Sequence, residues 1–316
     1  MTIDRVASNN QAQIFLAQLL KAEQNLNTAQ EQVATGKVAT DYAGMGSKTA
    51  TLEAARSSAA RADAVNSATQ LAVNQADLQD TQVTSLANLA DQLRQAVTKA
   101  AADGDASTLM GQAQSIFDQA VQILNAKDGS GNYLYGGGKD NTAPVTVNSL
   151  ADLQALPSAS DAFANGTIKK SVNVGDGQTV QVGLLASDLG AQLFQSLKDV
   201  ADFNAGASGP FGNPVTTAQS TFLSGAIQTA SAASQDLNNQ AAGNGFVYNR
   251  LQDVMSQQQS LSTLYKGFVS SLEDVDMGQA VSQLNQNQVA LQAALHVTAQ
   301  LGQISLLNYL GVSQTG

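Results

Sequence analysis

AQIFLAQLLKAEQNLNTAQEQV, residues 12–33, sets Ala12, Phe15, Leu19, Ala22, Leu26, Ala29 and Val33 three and four positions apart. That spacing gathers them on one line of an α-helix, the seam of a helix that packs lengthwise against another. A second seam lies far down the chain, where Val247, Leu251, Val254, Gln258, Leu261, Tyr265, Phe268 and Leu272 alternate by four and three. Gln258 alone interrupts it, and a lone amide in a seam commonly fixes register at some cost in stability. Beyond it Val281, Leu284, Leu291 and Leu295 carry a further apolar stripe, which Gly278 is expected to separate from the preceding helix. Long seams at both ends of one chain predict that the ends pair.

Proline maps the region between. All four prolines lie at Pro144, Pro157, Pro210 and Pro214, so the flanking stretches are free of the strongest helix breaker. From Lys48 to Asp103 there is neither Gly nor Pro, and Leu71, Leu78, Leu86, Leu89, Leu93 and Val97 recur at helical spacing. A shorter helix is expected after Gly104, carrying Leu109, Ile116 and Ile123 and ending near Lys127. In SVNVGDGQTVQV the period becomes two, with Val172 and Val174 before a Gly-Asp-Gly turn and Val180 and Val182 after it, which predicts a hairpin. Helical patterning resumes over Asp188–Phe203 and again from Thr216.

The predicted fold is mainly α: an elongated antiparallel rod, a coiled-coil-like bundle of N- and C-terminal helices, with a small β-containing insert at its tip. The expected divisions are terminal helices at 1–47 and 273–316, long helices at 48–127 and 186–272, and a β-rich insert at 128–185.

Composition limits the chemistry. Fifteen basic against 25 acidic residues give a formal charge of -10, the wrong sign for binding nucleic acid through its phosphates. Charged residues make up 13%, about half the usual share, which suits a subunit that packs against copies of itself. With no cysteine, disulfides and thiolate metal sites are impossible. His296 is the only histidine and reads as a packed or interface residue, because zinc constellations need further His or Cys ligands. Ser224 and the other serines have no base but His296, so no triad can be assembled.

YGGGKD, residues 135–140, lacks P-loop spacing and reads as a turn. Asp274 and Asp276 read as a polar joint, with acidic groups favourable at the start of the next helix. Tyr133, Tyr135 and Phe211 read as members of a small core. Neither catalysis nor a cofactor is expected. The opening twenty residues do not form a Sec-type signal, and glutamine and asparagine break the tail into apolar runs too short to span a bilayer.

No acidic or basic residue follows Asp276. The stretch SLEDVDMGQAVSQLNQNQVALQAALHVTAQLGQISLLNYL, residues 271–310, resembles the C-terminal region of the bacterial flagellin and hook-associated family, where a D-x-D opens a helix rich in Gln, Ala and Leu. SLLNYL at 305–310 looks more like the hook-filament junction members than like filament flagellin. QVATGKVATDY, 32–42, is similar to the turn after the first family helix, and YLYGGGKDNTAPV, 133–145, resembles the strand and turn leading into the variable insert. The family's paired aspartates after the TGK turn are missing: only Asp41 is present, and Gly44 and Gly46 are expected to loosen that joint.

The resemblance implies a structural subunit of the extracellular flagellum at the hook-filament junction, exported unfolded by the type III apparatus. Its implied partners are copies of itself, hook-associated proteins, flagellin and an export chaperone, without nucleic acid or membrane insertion. A filament flagellin with a short outer domain and a glycan-binding flagellin-like protein are the alternatives. The expected assembly interface is Phe15, Leu19, Leu26, Val33, Val281, Leu284, Leu291, Leu295, Leu306 and Leu310.

Overall fold

The computed structural model describes the backbone of residues 2–175 and 177–311, and the side chains of residues 10, 13–175 and 177–300. Contacts divide the chain into two compact units, Met1–Arg61 with Leu261–Gly316, and Ala62–Ser260. The fold is mainly α, with long antiparallel helices and a small two-stranded sheet. In order come α1 (Thr2–Thr35), α2 (Tyr42–Met45), α3 (Thr49–Asp103), α4 (Leu109–Leu124), α5 (Leu150–Ala155), β1 (Ser171–Gly175), β2 (Gln178–Gln181), α6 (Ala186–Ala205), α7 (Thr217–Glu273) and α8 (Met277–Gly311).

In the first unit α1 packs along α8. Asn287 Nδ2 donates to the Asn25 carbonyl at 3.0 Å, and Lys37 bridges to Asp274, so the numbering of the two helices runs in opposite directions. Ala29 and Ala280 are buried, small residues that let two helices approach closely. The break before α8 falls at Asp274–Asp276 rather than at Gly278, which lies in the first turn of α8. Asp276 explains the start: its Oδ1 accepts from Gly278 N at 2.8 Å and Gln279 N at 3.2 Å, satisfying amides that a helix start leaves unpaired.

The second unit holds a large apolar cluster and a smaller one around the hairpin. On α3 the buried line runs through Thr69, Val73, Ala76, Gln79, Val83, Leu86, Ala90, Leu93 and Val97. On α7 it runs through Leu223, Ala226, Ala230, Ala233, Leu237, Asn244, Leu251 and Gln258. The α3 line steps by three and four, and the α7 line by three and four as far as Leu237 and by whole heptads after it, as lengthwise packing requires. Asn244 Nδ2 donates to the Ala76 carbonyl at 2.7 Å, and Asn66 reaches Gln259, which makes the pair antiparallel. Leu71 and Leu78, expected on the seam, are exposed. Eight residues separate Leu78 from Leu86, about 80° of helical rotation, so the two leucines turn away from the line that Ala72, Val73 and Ala76 occupy.

α4 and α6 close over this core. Phe194 meets Phe117 at 5.3 Å and Phe163 at 5.1 Å between ring centroids. Asn125, just past α4, holds the following loop by donating to the Val145 carbonyl and accepting from Val145 N. Strand within 128–185 is confined, among the described residues, to the β1–β2 hairpin, with isolated bridges at Lys127–Tyr133 and Val145–Phe163. The strand suggested for YLY is a turn and bridge instead. The hairpin folds onto α3 and α7 through Val174, Val180 and Val182, which pack with Ala72, Val73, Ala76 and Leu251. Gln258 belongs to that contact: its Nε2 approaches the Val174 carbonyl at 3.4 Å. The amide interrupts its seam because it faces strand backbone rather than another helix.

Candidate functional site

From Val6 to Leu20 α1 carries no charge, and α8 carries none at all. A helix that faces only water would fill such positions with Lys and Glu, whereas an uncharged face avoids stripping water from ions when another surface arrives. The expected interface residues divide into three groups. Phe15, Leu19, Leu26, Val33, Leu284 and Leu291 are half-buried within the single chain. They share helical lines with the buried Ala29 and Ala280, so the α1–α8 contact already covers part of their surface. Val281 and Leu295 remain outward-facing, Leu295 at 49% exposure. Leu306 and Leu310 lie outside the residues whose side chains are described.

Seam counting missed another set. Ile14, Leu16, Leu20, Val289 and Val297 are all large apolar residues in the open, with Leu16 at 57% and Val289 at 66%. Leu16 and Leu20 are four residues apart and so share a face. The signal that would have found them is the pairing of apolar residues beside a seam with an absence of charge on the same helix. His296 is also exposed on α8.

At the base of this helix pair stands a polar joint. Val38 N donates to the Glu273 carbonyl at 2.6 Å and Val275 N to the Gly36 carbonyl at 2.9 Å, a reciprocal backbone stitch. The Glu273 side chain is only 9% exposed and carries two cations, Lys37 Nζ and Arg56 Nη2, the latter at 2.8 Å. Hydrogen bonds from Lys37 and then Arg56 hold its carboxyl below the ordinary range. Arg56 also pairs with Glu53 at 3.0 Å, and its guanidinium is pushed up, first by Glu273 and then by Glu53.

The glycines expected to loosen this region build it. A side chain on Gly44 would come within 2.5 Å of Ala39 Cβ, and Gly46 adopts φ +56°. Asp41 Oδ1 accepts from Gly44 N at 2.6 Å and caps α2. Beside the joint opens a cavity of about 620 Å³, lined among others by Tyr42, Met45, Leu52, Arg56 and Glu273.

The residues weighed for chemistry have structural partners. Tyr135 is fully buried, its hydroxyl donates to Gln82 Oε1, and burial pushes its pKa up. Lys127 lies over the Tyr133 ring at 4.6 Å, and Phe211 stacks on Phe203 with centroids 5.3 Å apart. YGGGKD forms a turn, with Lys139 N donating to the Gly136 carbonyl. Among the described residues no three His, Cys, Asp or Glu side chains gather as metal ligands, and no helix is long and apolar enough to cross a membrane.

Residues 6–139 match the family model of the bacterial flagellin N-terminal helical region, and residues 227–310 match that of the bacterial flagellin C-terminal helical region. A comparison with curated proteins finds no match. Among solved structures, the chain is similar to one described as a flagellar hook-associated protein from Vibrio parahaemolyticus. That likeness has a TM-score of 0.59 and 16% identity, and covers 74% of this chain and 99% of the other. It is also similar to Bacillus cereus FlgL, with a TM-score of 0.51 and 12% identity over 69% of this chain and 98% of that one. At such identities these two likenesses speak to fold.

Proposed function

This chain belongs to the bacterial flagellin family, and from that premise we propose that it is the subunit of the hook-filament junction. It is a non-enzymatic structural component of the flagellum, from a family whose members self-assemble and associate with other flagellar proteins. The observation that carries the assembly reading is the α1–α8 pair, charge-free from Val6 to Leu20 and throughout α8, which leaves Leu16, Leu20, Val281, Val289 and Leu295 facing outward. Burying one such side chain against a neighbour is worth about 1.5–3 kcal/mol, so several together hold a subunit in place once neighbours are present.

The junction assignment draws on the SLLNYL close, on the small insert at 128–185 and on the names of the two structural neighbours. Under this reading 1–47 and 273–316 form the inner assembly layer, 48–127 and 186–272 the long-helix layer, and 128–185 the outward insert. The subunit contacts hook-side and filament-side proteins and leaves the cell through type III export with a chaperone. Electron microscopy of the tagged chain tests it: label at the distal end of the hook is expected. Label along the whole filament would assign the chain to filament flagellin instead. Deleting the gene is expected to leave hooks that shed flagellin into the medium, and normal filaments on the deletion strain would exclude the junction role.

A further inference from the structure

On α7 the fold leaves two large apolar residues uncovered: Phe268 of the expected seam at 49% exposure, and Leu264, which lies off that seam, at 51%. They are four residues apart and form one ridge. Phe268 precedes Glu273 by five residues, placing them about 140° apart around α7 and ~7.5 Å apart along it. Leu264 is nine residues away, about 180° around and ~13 Å along. Glu273 looks into the 620 Å³ cavity beside the joint. One helix thus presents an apolar ridge on one side and a wall of the cavity on roughly the other, offset by ~7.5–13 Å along its axis.

The chemistry of the cavity selects its occupant. Its charged groups are already paired: Glu273 with Lys37 and Arg56, and Asp41 with Gly44 N. The threonines of the lining are engaged as well, Thr35 with the Glu31 carbonyl at 2.7 Å and Thr40 with the Glu31 carboxylate. What remains is the apolar Met45 and Leu52, the half-exposed Tyr42 ring, and Arg56, whose edge is engaged by Glu53 and Glu273 while its flat face is suited to an aromatic ring. An aromatic side chain on an apolar ridge fits that description.

We infer that the cavity formed by Tyr42, Met45, Leu52 and Arg56 receives the Leu264–Phe268 ridge of a second copy of this chain. Ridge and cavity are different surfaces, so the contact is heterologous: each copy gives a ridge to one neighbour and a cavity to the other, and repetition closes a ring or continues a helix. The inference rests on the reading that the chain assembles with itself, and it names a contact distinct from the α1–α8 face.

The chain has no cysteine, so introduced thiols report cleanly. Two differently tagged variants, Phe268→Cys and Tyr42→Cys, are expressed separately and together in cells lacking the native gene, and the sheared flagellar fraction is oxidised. A disulfide needs Cα atoms within about 7 Å. Cross-linked dimer carrying both tags in the mixture, with none in either variant alone, is the expected result. Dimer from Phe268→Cys alone would reveal a symmetric contact and overturn the inference, as would incorporation of both variants without any cross-link. Loss of Phe268→Cys from the fraction, with the circular dichroism of the soluble variant unchanged, counts in favour, because an exposed side chain has no internal packing to lose. If the native chain itself is missing from the flagellar fraction, the assembly reading falls together with the contact.

Discussion

The same heptad logic builds both units, yet it ends differently in each. In the second unit the lines on α3 and α7 meet side chains that finish the job: Leu93, Leu197, Phe117 and Phe194 are essentially inaccessible to water. In the first unit α1 and α8 cover one another only in part, and large apolar residues remain in the open. Packing period alone does not distinguish a seam satisfied within its own chain from one awaiting neighbours. Charge does. The second unit surrounds its core with ion pairs such as Arg94–Asp91 and Lys169–Asp188, whereas α8 has no ionic group.

The contrast can be broken most severely at Leu295. Leu295→Asp is expected to abolish incorporation into the flagellar fraction while the melting temperature of the soluble chain stays put, because the residue lies half in water. Leu291→Asp should lose incorporation and also loosen the α1–α8 pair, visible as reduced helical ellipticity. If Leu295→Asp incorporated normally, the outward face would not be a contact.

Phe194→Ala probes the other side of the comparison. Removing a buried ring that touches Phe117 and Phe163 is expected to cost about 3–5 kcal/mol by urea denaturation, the usual range for a large aromatic truncated in a core. Glu273→Gln is smaller, about 1 kcal/mol, since Lys37 and Arg56 are both more than a third exposed and rehydrate. The sign with pH follows from the direction of the shift. A carboxyl whose folded pKa is depressed contributes stability above its ordinary range and loses it as pH falls through the folded value. Wild type and Glu273→Gln should therefore converge in strongly acidic solution. Smallest of all is Leu71→Gln, expected within about 0.5 kcal/mol of wild type, because Leu71 is 71% exposed.

Much of this fold was legible in the sequence. Four prolines, a glycine-free run and two long seams located the helices, and alternating valines around a Gly-Asp-Gly turn located the hairpin. Reading large residues misled in one place. The buried line on the first half of α3 is built from Leu52, Ala55, Ala59, Ala62, Thr69 and Ala76, and most of these are too small or too polar to stand out beside Leu71 and Leu78. Alanine seams are quiet in a hydropathy pattern although they permit the closest helix contacts. Long-range partners were equally invisible: nothing near Gln258 announces a strand carbonyl, and nothing near Glu273 announces Lys37. For the proposed assembly face, the uncharged tail singled out α8 in the sequence, while the residues left facing outward could be sorted only once their neighbours in space were known.

The stitch between Gly36–Val38 and Glu273–Val275 sets an order of events. Its two halves are separated by 236 residues along the chain, counted from Lys37 to Glu273. A polypeptide delivered as a thread, from a ribosome or through any narrow conduit, brings out nearly its whole length before both halves coexist. Closing so long a loop is entropically slow. The second unit ends at Ser260, so in a thread that emerges from its N-terminus all of that unit is out before α8 is, and the α1–α8 pair is the last contact that can close.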